Sequence, residues 1–319
     1  MTRQDDSRSR HLVDATLLPG LELMPAIDLS ADSLPATRQR IEQMAAVEPD
    51  NLDVALSVET IAGGDGQDMA LRLLIPADRR QLRGAVLVIH GGGYVMGTAS
   101  IGEARHRVLA AATGAIFASV EYRLAPETPY PGPVEDCYAA LCWLHDNAAR
   151  LDIDIERIAV MGASAGGGLA AALALLARDR GGPAISHQHL IYPMLDDRTG
   201  VSDEPHPYAG EFVWTPASNR FGWGALLGQD PGGEGVSHYA APARAENLSG
   251  LPPAFIATGA LDLFVDENLD YGRRLLRAGV PVELHLYPGA YHGFDLNVGA
   301  PVVAALERDS ATALARAID

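Results

Sequence analysis

A chain of 319 residues, 48% hydrophobic and 20% charged, is long enough to bury a sizeable core. Its net charge of -17 would repel nucleic acid and anionic membrane, so neither is expected as a partner. Lysine is absent, which excludes a Ser-Lys dyad, a Walker A lysine and a pyridoxal Schiff base.

No apolar run reaches transmembrane length, and Met1 to Arg10 is polar with no apolar stretch behind it, so no membrane association and a cytoplasmic location are expected. The two cysteines, Cys137 and Cys142, lie five apart on one predicted helix. There they do not face each other, which argues against a disulfide and against a metal pair.

Taken in order, His11 to about Val47 is broken by Pro19, Pro25 and Pro35 and reads as two short helices. Val54 to Ile61 and Met69 to Ile75 alternate as two strands about the glycine-rich turn Ala62 to Gly66, an antiparallel entry into a sheet. Gly84 to His90 is an apolar run fit for a strand covered on both faces, and it runs into Gly91-Gly92-Gly93-Tyr94. A helix over Glu103 to Thr113, a strand over Ala115 to Tyr122 and a helix over Val134 to Ala149 follow. The strand Arg157 to Met161 leads through Gly162-Ala163-Ser164-Ala165-Gly166 into an Ala/Leu-rich helix that Gly181-Gly182-Pro183 stops near Arg180.

After the strand His189 to Met194, regular alternation lapses. Residues 195–251 are rich in Asp, Pro, Gly and aromatics, with one helix near Ala217 to Leu227. Connections in such folds run to about 2–6 residues, and much longer excursions tend to be lids or binding elements. The strand Ala254 to Thr258, the helix Asp266 to Ala278, the strand Pro281 to Tyr287 and the helix Val302 to Ile318 complete the chain. Strand-helix alternation implies an α/β fold, with a mostly parallel sheet and helices on both faces. The expected division is a catalytic domain over 48–194 and 252–319 and a cap made of 1–47 and the insertion 195–251.

Gly162-Ala163-Ser164-Ala165-Gly166 fits G-x-S-x-G, in which a serine sits at a sharp strand-to-helix turn. A serine hydroxyl attacks a carbonyl poorly unless a base takes its proton. Of the ten histidines, His187 and His189 begin a strand and His285 lies within one, while His11, His106, His145, His206 and His238 fall on expected surface or cap segments. His292, in the loop after the last strand, stands at the sheet edge where Ser164 must open and is the candidate base. Asp262, just past a strand on the same edge, is the candidate that orients the imidazole; Asp266 and Glu267 fit better as helix-start carboxylates. An oxyanion needs preorganised N–H donors, and those of Gly92, Gly93 and Ala165 are the candidates, Gly91 less so. His90 suits a bracing role. Tyr94, Phe212 and Trp214 are candidate substrate contacts.

His90 to Gly93, Tyr122-Arg123-Leu124-Ala125-Pro126-Glu127, Gly162 to Gly167 and His292-Gly293-Phe294 together resemble the bacterial hormone-sensitive lipase family of α/β-hydrolases. The resemblance runs from about Val86 to Phe294. It implies carboxylester hydrolysis of short- and medium-chain acyl esters by a triad of Ser164, Asp262 and His292, no cofactor and no metal, a cap, and frequent homodimers. Two departures stand out: Ala163 replaces the usual Asp or Thr, and the acid motif reads Asp262-Leu263-Phe264-Val265-Asp266-Glu267-Asn268 without its usual proline. Arg123 and Glu127 are expected to tie loops together. Rival expectations on the same scaffold are an amidase or formamidase, and a small-molecule receptor like the plant gibberellin receptors.

Overall fold

The computed structural model describes residues 7–23, 29–45, 52–77, 83–201 and 205–318. Pro25 and the division expected between residues 47 and 48 lie outside the described residues.

The helices α1 (Leu18–Leu23) and α2 (Leu34–Ala45) precede a hairpin of β1 (Val54–Ala62) and β2 (Asp68–Pro76). Its turn closes through Gly63 N–H donating to the Gln67 carbonyl at 2.7 Å. There follow β3 (Arg83–Ile89), α3 (Glu103–Thr113), β4 (Ile116–Val120), α4 (Gly132–Asp146), α5 (Ala148–Leu151), β5 (Ile153–Ala163), α6 (Ala165–Arg180) and β6 (His187–Ile191). The insertion carries α7 (Pro216–Leu227), and β7 (Ala254–Gly259), α8 (Val265–Arg277), β8 (Val282–Tyr287) and α9 (Pro301–Ile318) end the chain.

Eight strands form one sheet in the order β1-β2-β4-β3-β5-β6-β7-β8. β1 pairs β2, and β2 pairs β4, antiparallel; β4, β3, β5, β6, β7 and β8 run parallel. β3, β4, β6 and β7 are buried along their whole length, as strands covered on both faces should be. One face is covered by α4, α6 and α8, where Leu141, Leu144, Leu169, Leu173, Leu176 and Leu275 pack into the main core. Each such leucine contributes about 1.5–3 kcal/mol when fully buried. The other face is covered by α3 and α9 through Leu109, Leu306 and Leu314, together with Leu17 of the amino-terminal segment.

Three differences from the local sequence pattern have physical causes. The strand expected over His189 to Met194 begins at His187 and ends at Ile191, because its histidines are hidden: the His189 ring stacks on Phe255 at 4.3 Å. The helix expected over Val134 to Ala149 breaks at Asn147, which links α4 to α5. His106, expected at the surface, is buried and stacked on Phe117.

The insertion is fastened at both ends. Arg244 grips the buried Asp197 with two hydrogen bonds, 2.5 and 2.8 Å. Glu267, expected to serve its own helix start, instead reaches across to accept from Leu195 N–H at 2.6 Å, from Asp196 N–H at 3.3 Å and from the Thr199 hydroxyl. Arg123 holds Asp136 and Asp65, and Glu127 pairs with Arg38 of α2. Among the described residues no helix is long and apolar enough to cross a membrane.

Candidate active site

In a parallel sheet every strand delivers its following loop to the same edge, and ligands bind outside those carboxyl ends. The loops after β3, β5, β6, β7 and β8 therefore meet, and they carry His90 to Gly93, Ser164, Tyr192, Asp262 and His292.

Ser164 turns between β5 and α6 with φ 56 and ψ -123, a conformation side chains rarely adopt. Its backbone is pinned: the N–H donates to the Ile191 carbonyl at 2.9 Å, and the carbonyl accepts from Gly168 and Met194 N–H groups, each at 3.0 Å. The flanking glycines are required by space. A Cβ on Gly162 would lie 2.2 Å from the Gly166 carbonyl oxygen, and one on Gly166 would lie 2.0 Å from that of Ile89.

Asp262 and His292 come together because their loops are stitched to each other. Leu261 N–H donates to the Ala290 carbonyl and Ala260 N–H to that of Tyr287, both at 2.9 Å. The Asp262 carboxylate then takes the Phe264 N–H on Oδ1 at 2.9 Å and the His292 Nδ1 on Oδ2 at 2.9 Å. An ionised carboxylate only accepts, so Nδ1 carries the ring proton. That leaves the Nε2 lone pair facing the Ser164 hydroxyl, at 3.0 Å. All three side chains are buried. The imidazole is surrounded by rings: Tyr192 at 4.7 Å, Phe264 edge-on at 5.2 Å and Trp214 at 6.3 Å between centroids.

The glycine turn after β3 lies against the serine. A Cβ built on Gly91 would stand 3.4 Å from the Ser164 Cβ and 2.7 Å from the Ala163 carbonyl oxygen. Gly92 and Gly93 take φ of 122 and 59, and Ala165 opens α6, where the first N–H groups have no helical acceptor. None of the N–H groups of Gly92, Gly93 and Ala165 donates to a backbone carbonyl among the described residues. His90 braces this turn. Its Nδ1 donates to the Gly91 carbonyl at 2.8 Å, its ring stacks on Tyr122 at 4.2 Å, and the Tyr122 hydroxyl donates to its carbonyl at 2.9 Å. Burial pushes the His90 imidazole down to about 4, so it stays neutral at physiological pH.

Of the candidate substrate contacts, Trp214 lies beside the site: a Cβ on Gly93 would stand 2.2 Å from its ring. Phe212 is half-buried and packs on Tyr291 at 6.0 Å, next to His292. Tyr94 departs from expectation. It is wholly buried, its hydroxyl donates to the Met194 carbonyl at 2.8 Å and its ring packs on Trp223, so it supports the floor of the site from within the core.

Tyr192 is the site residue that local pattern missed. Its place in an apolar run implies a strand position, whereas it leaves the sheet with φ 35 and faces the imidazole. Among the described residues five non-glycine residues have positive φ, and four of them, Tyr94, Ser164, Tyr192 and Val213, gather here. Strained backbone of this kind concentrates at functional sites. Among the described residues no group of three or more His, Cys, Asp or Glu side chains is arranged to hold a metal ion.

Comparison with known proteins identifies the fold and the family. Residues 86–296 match the family model described as the alpha/beta hydrolase fold. The chain is 37% identical over 292 residues to esterase LipI of Mycobacterium tuberculosis, covering 88% of each protein. It is 37% identical over 302 residues to carboxylesterase NlhH of the same species, covering 92% of each. It also superimposes on the solved structure of a bacterial heroin esterase with a TM-score of 0.90 and 38% identity, over 97% of this chain and 99% of the other. The matched fold, the carboxylesterase relatives and the four motifs lead to one conclusion: the chain belongs to the hormone-sensitive lipase family of α/β-hydrolases.

Proposed function

We propose that the protein is a serine carboxylesterase acting on short- to medium-chain acyl esters through an acyl-enzyme. The observation that carries this reading is the unbroken chain Ser164 Oγ, His292, Asp262, with links of 3.0 and 2.9 Å. Ser164 Oγ bonds to the ester carbonyl carbon while its proton passes to His292 Nε2. The carbonyl oxygen becomes an oxyanion, held by the N–H groups of Gly92, Gly93 and Ala165. Collapse breaks the bond to the alkoxy oxygen, which leaves as the alcohol with the proton from Nε2. A water, deprotonated by the same nitrogen, then attacks the acyl carbon; the bond to Ser164 Oγ breaks, Oγ takes the proton back from Nε2, and the acid is released. Asp262 keeps the imidazole in the tautomer this needs and stabilises the imidazolium. No step calls for a cofactor.

The reading extends to a cap of residues 1–47 and 195–251 over a catalytic domain of 48–194 and 252–319. In its support, Ser7 and Ser9 hydroxyls donate to Glu211, Leu29 N–H donates to Ser218 Oγ at 3.1 Å, and the insertion carries Trp214 to the site. Phe212 and Trp214 would bound the acyl or alcohol group. A homodimer fits the open edge of β8, where Leu284 and Leu286 are exposed. Two free cysteines fit a reducing compartment, the cytoplasm. An organophosphate that labels Ser164 in the native protein, together with turnover of p-nitrophenyl butyrate that Ser164→Ala abolishes without unfolding, tests the reading. An unlabelled Ser164 or an active Ser164→Ala variant overturns it.

A further inference from the structure

The His292 ring has hydrogen bonds only at its two nitrogens, to Asp262 and to the Ser164 hydroxyl, and its loop is tied by turn hydrogen bonds such as Phe294 N–H to the Tyr291 carbonyl at 3.1 Å. Of the three rings around it, Phe264, Trp214 and Tyr192, the nearest is Tyr192, 4.7 Å away between centroids at an interplanar angle of 63°. Its backbone is locked where β6 ends, the N–H donating to the Ala257 carbonyl at 2.6 Å on β7, with φ at 35. Its hydroxyl is locked as well, donating to Asp295 Oδ1 at 2.6 Å. The other oxygen of Asp295 is held by Arg105 Nη1 of α3 at 3.1 Å. Asp295 follows His292 by three residues, so the linkage runs from the base's own loop to the Tyr192 hydroxyl and back to the base through the tyrosine ring, with Arg105 of α3 bracing Asp295 from its other oxygen. The strain at Tyr192 persists only because its surroundings over-determine it.

We propose that Tyr192 is a positioning residue for His292: its hydroxyl, anchored through Asp295 to Arg105, fixes the ring that keeps Nε2 aimed at the Ser164 hydroxyl. The proposal rests on the reading of His292 as the base. Misplacing a reacting group by a fraction of an ångström to an ångström costs rate rather than ground-state binding. The phenol is suited to this work because burial, with Asp295 beside it, pushes its ionisation well up and keeps the hydroxyl a donor. Arg105 and Asp295 are mostly shielded, at 25% and 14% exposure, so the anchor is less open to screening than a surface pair.

The test uses the full-length chain with p-nitrophenyl butyrate, and the rate of Ser164 labelling by an organophosphate as an independent readout of the serine's nucleophilicity. Tyr192→Phe keeps the ring and removes the anchor. It is expected to lower kcat and the labelling rate about tenfold, with KM changed less than about twofold. Asp295→Ala should match that loss, and the double variant should fall no further, because one linkage is being cut twice. Asp295→Asn, which keeps an oxygen acceptor at the same place, should recover most of the loss. Should Tyr192→Phe fail to fold, the contrast between Asp295→Ala and Asp295→Asn asks the same question. The proposal is overturned if the native protein is labelled at Ser164 and Tyr192→Phe is labelled as fast, if the single losses multiply in the double variant, or if the loss falls on KM. A native protein that is not labelled at all sinks the triad reading, and this proposal with it.

Discussion

Gly222 of α7 packs directly on the carbonyl of Gly93: a Cβ at position 222 would stand 2.6 Å from that oxygen. The insertion thus touches the glycine turn at backbone distance on one side, while the Trp214 ring closes on it from another. The Trp214 ring is itself fixed, donating from Nε1 to Asn219 Oδ1 at 3.1 Å, and Asn219 donates to the Thr199 carbonyl at 2.7 Å. The orientation of the proposed oxyanion donors is therefore coupled to the seating of α7.

Gly222→Ala is expected to displace the Gly93 peptide and lower kcat by about 10-fold or more, approaching the loss from one oxyanion donor, about 2.7–4 kcal/mol. Steady-state kinetics with thermal melting check this. A variant with native kcat would mean that the turn keeps its geometry without the close approach.

Asp262→Asn leaves the shape of the site in place but lets the imidazole adopt the tautomer with Nδ1 unprotonated. A loss of about 10⁴ in kcat is the scale for that substitution in a triad of this kind. The measurement is turnover of p-nitrophenyl butyrate, with circular dichroism to confirm the fold.

Asp136 is fully buried and accepts from Arg123 N–H at 3.0 Å and Nε at 2.8 Å, from Gly64 N–H at 2.8 Å and from Gln67 Nε2 at 2.9 Å. These hydrogen bonds hold its carboxyl below the usual carboxylate range despite burial. Asp136→Ala should strand the Gly64 and Gln67 donors and destabilise the protein by about 1–3 kcal/mol, while Arg123, partly exposed, keeps Asp65 as a partner. Denaturant midpoints give the value, and a loss under about 1 kcal/mol would show that water replaces the carboxylate.

Acid stability follows from buried histidines. Burial pushes His90, His106 and His187 down to about 4, below the ordinary value of 6.5. Above pH 6.5 neither the folded nor the unfolded chain protonates them, and their neutral burial carries no penalty. Below 6.5 the unfolded chain takes up protons that the folded chain refuses, so stability falls until about pH 4, where both states are charged. Urea midpoints from pH 7 to pH 4 should decline across that window, and His106→Gln should decline less steeply. An unchanged slope in that variant would remove His106 from the account.

The strand and helix alternation was legible because apolar runs and glycine stops are local signals. The convergence of three side chains was legible too: Ser164, Asp262 and His292 each follow a strand, and the fold sets them within hydrogen-bond reach. What was hidden depends on partners distant in sequence. Tyr192 looked like one more interior residue of an apolar run, and only Asp295 and His292, about a hundred positions later, give it a task. His187 lies just outside the strand that the local pattern marks, and it extends β6 because it is buried beside His189. Tyr94 sat beside the glycine turn and suggested a ligand contact, but Met194 and Trp223 claim both its ends.

The positive φ of Ser164 carries a consequence of an evolutionary kind. Glycine would accept that backbone without strain, recovering about 1–3 kcal/mol that the serine costs the fold. The most direct route to silencing this hydrolase thus rewards the scaffold with added robustness. Catalytic competence at this elbow is held against the scaffold's own preference, a local instance of the trade between activity and stability.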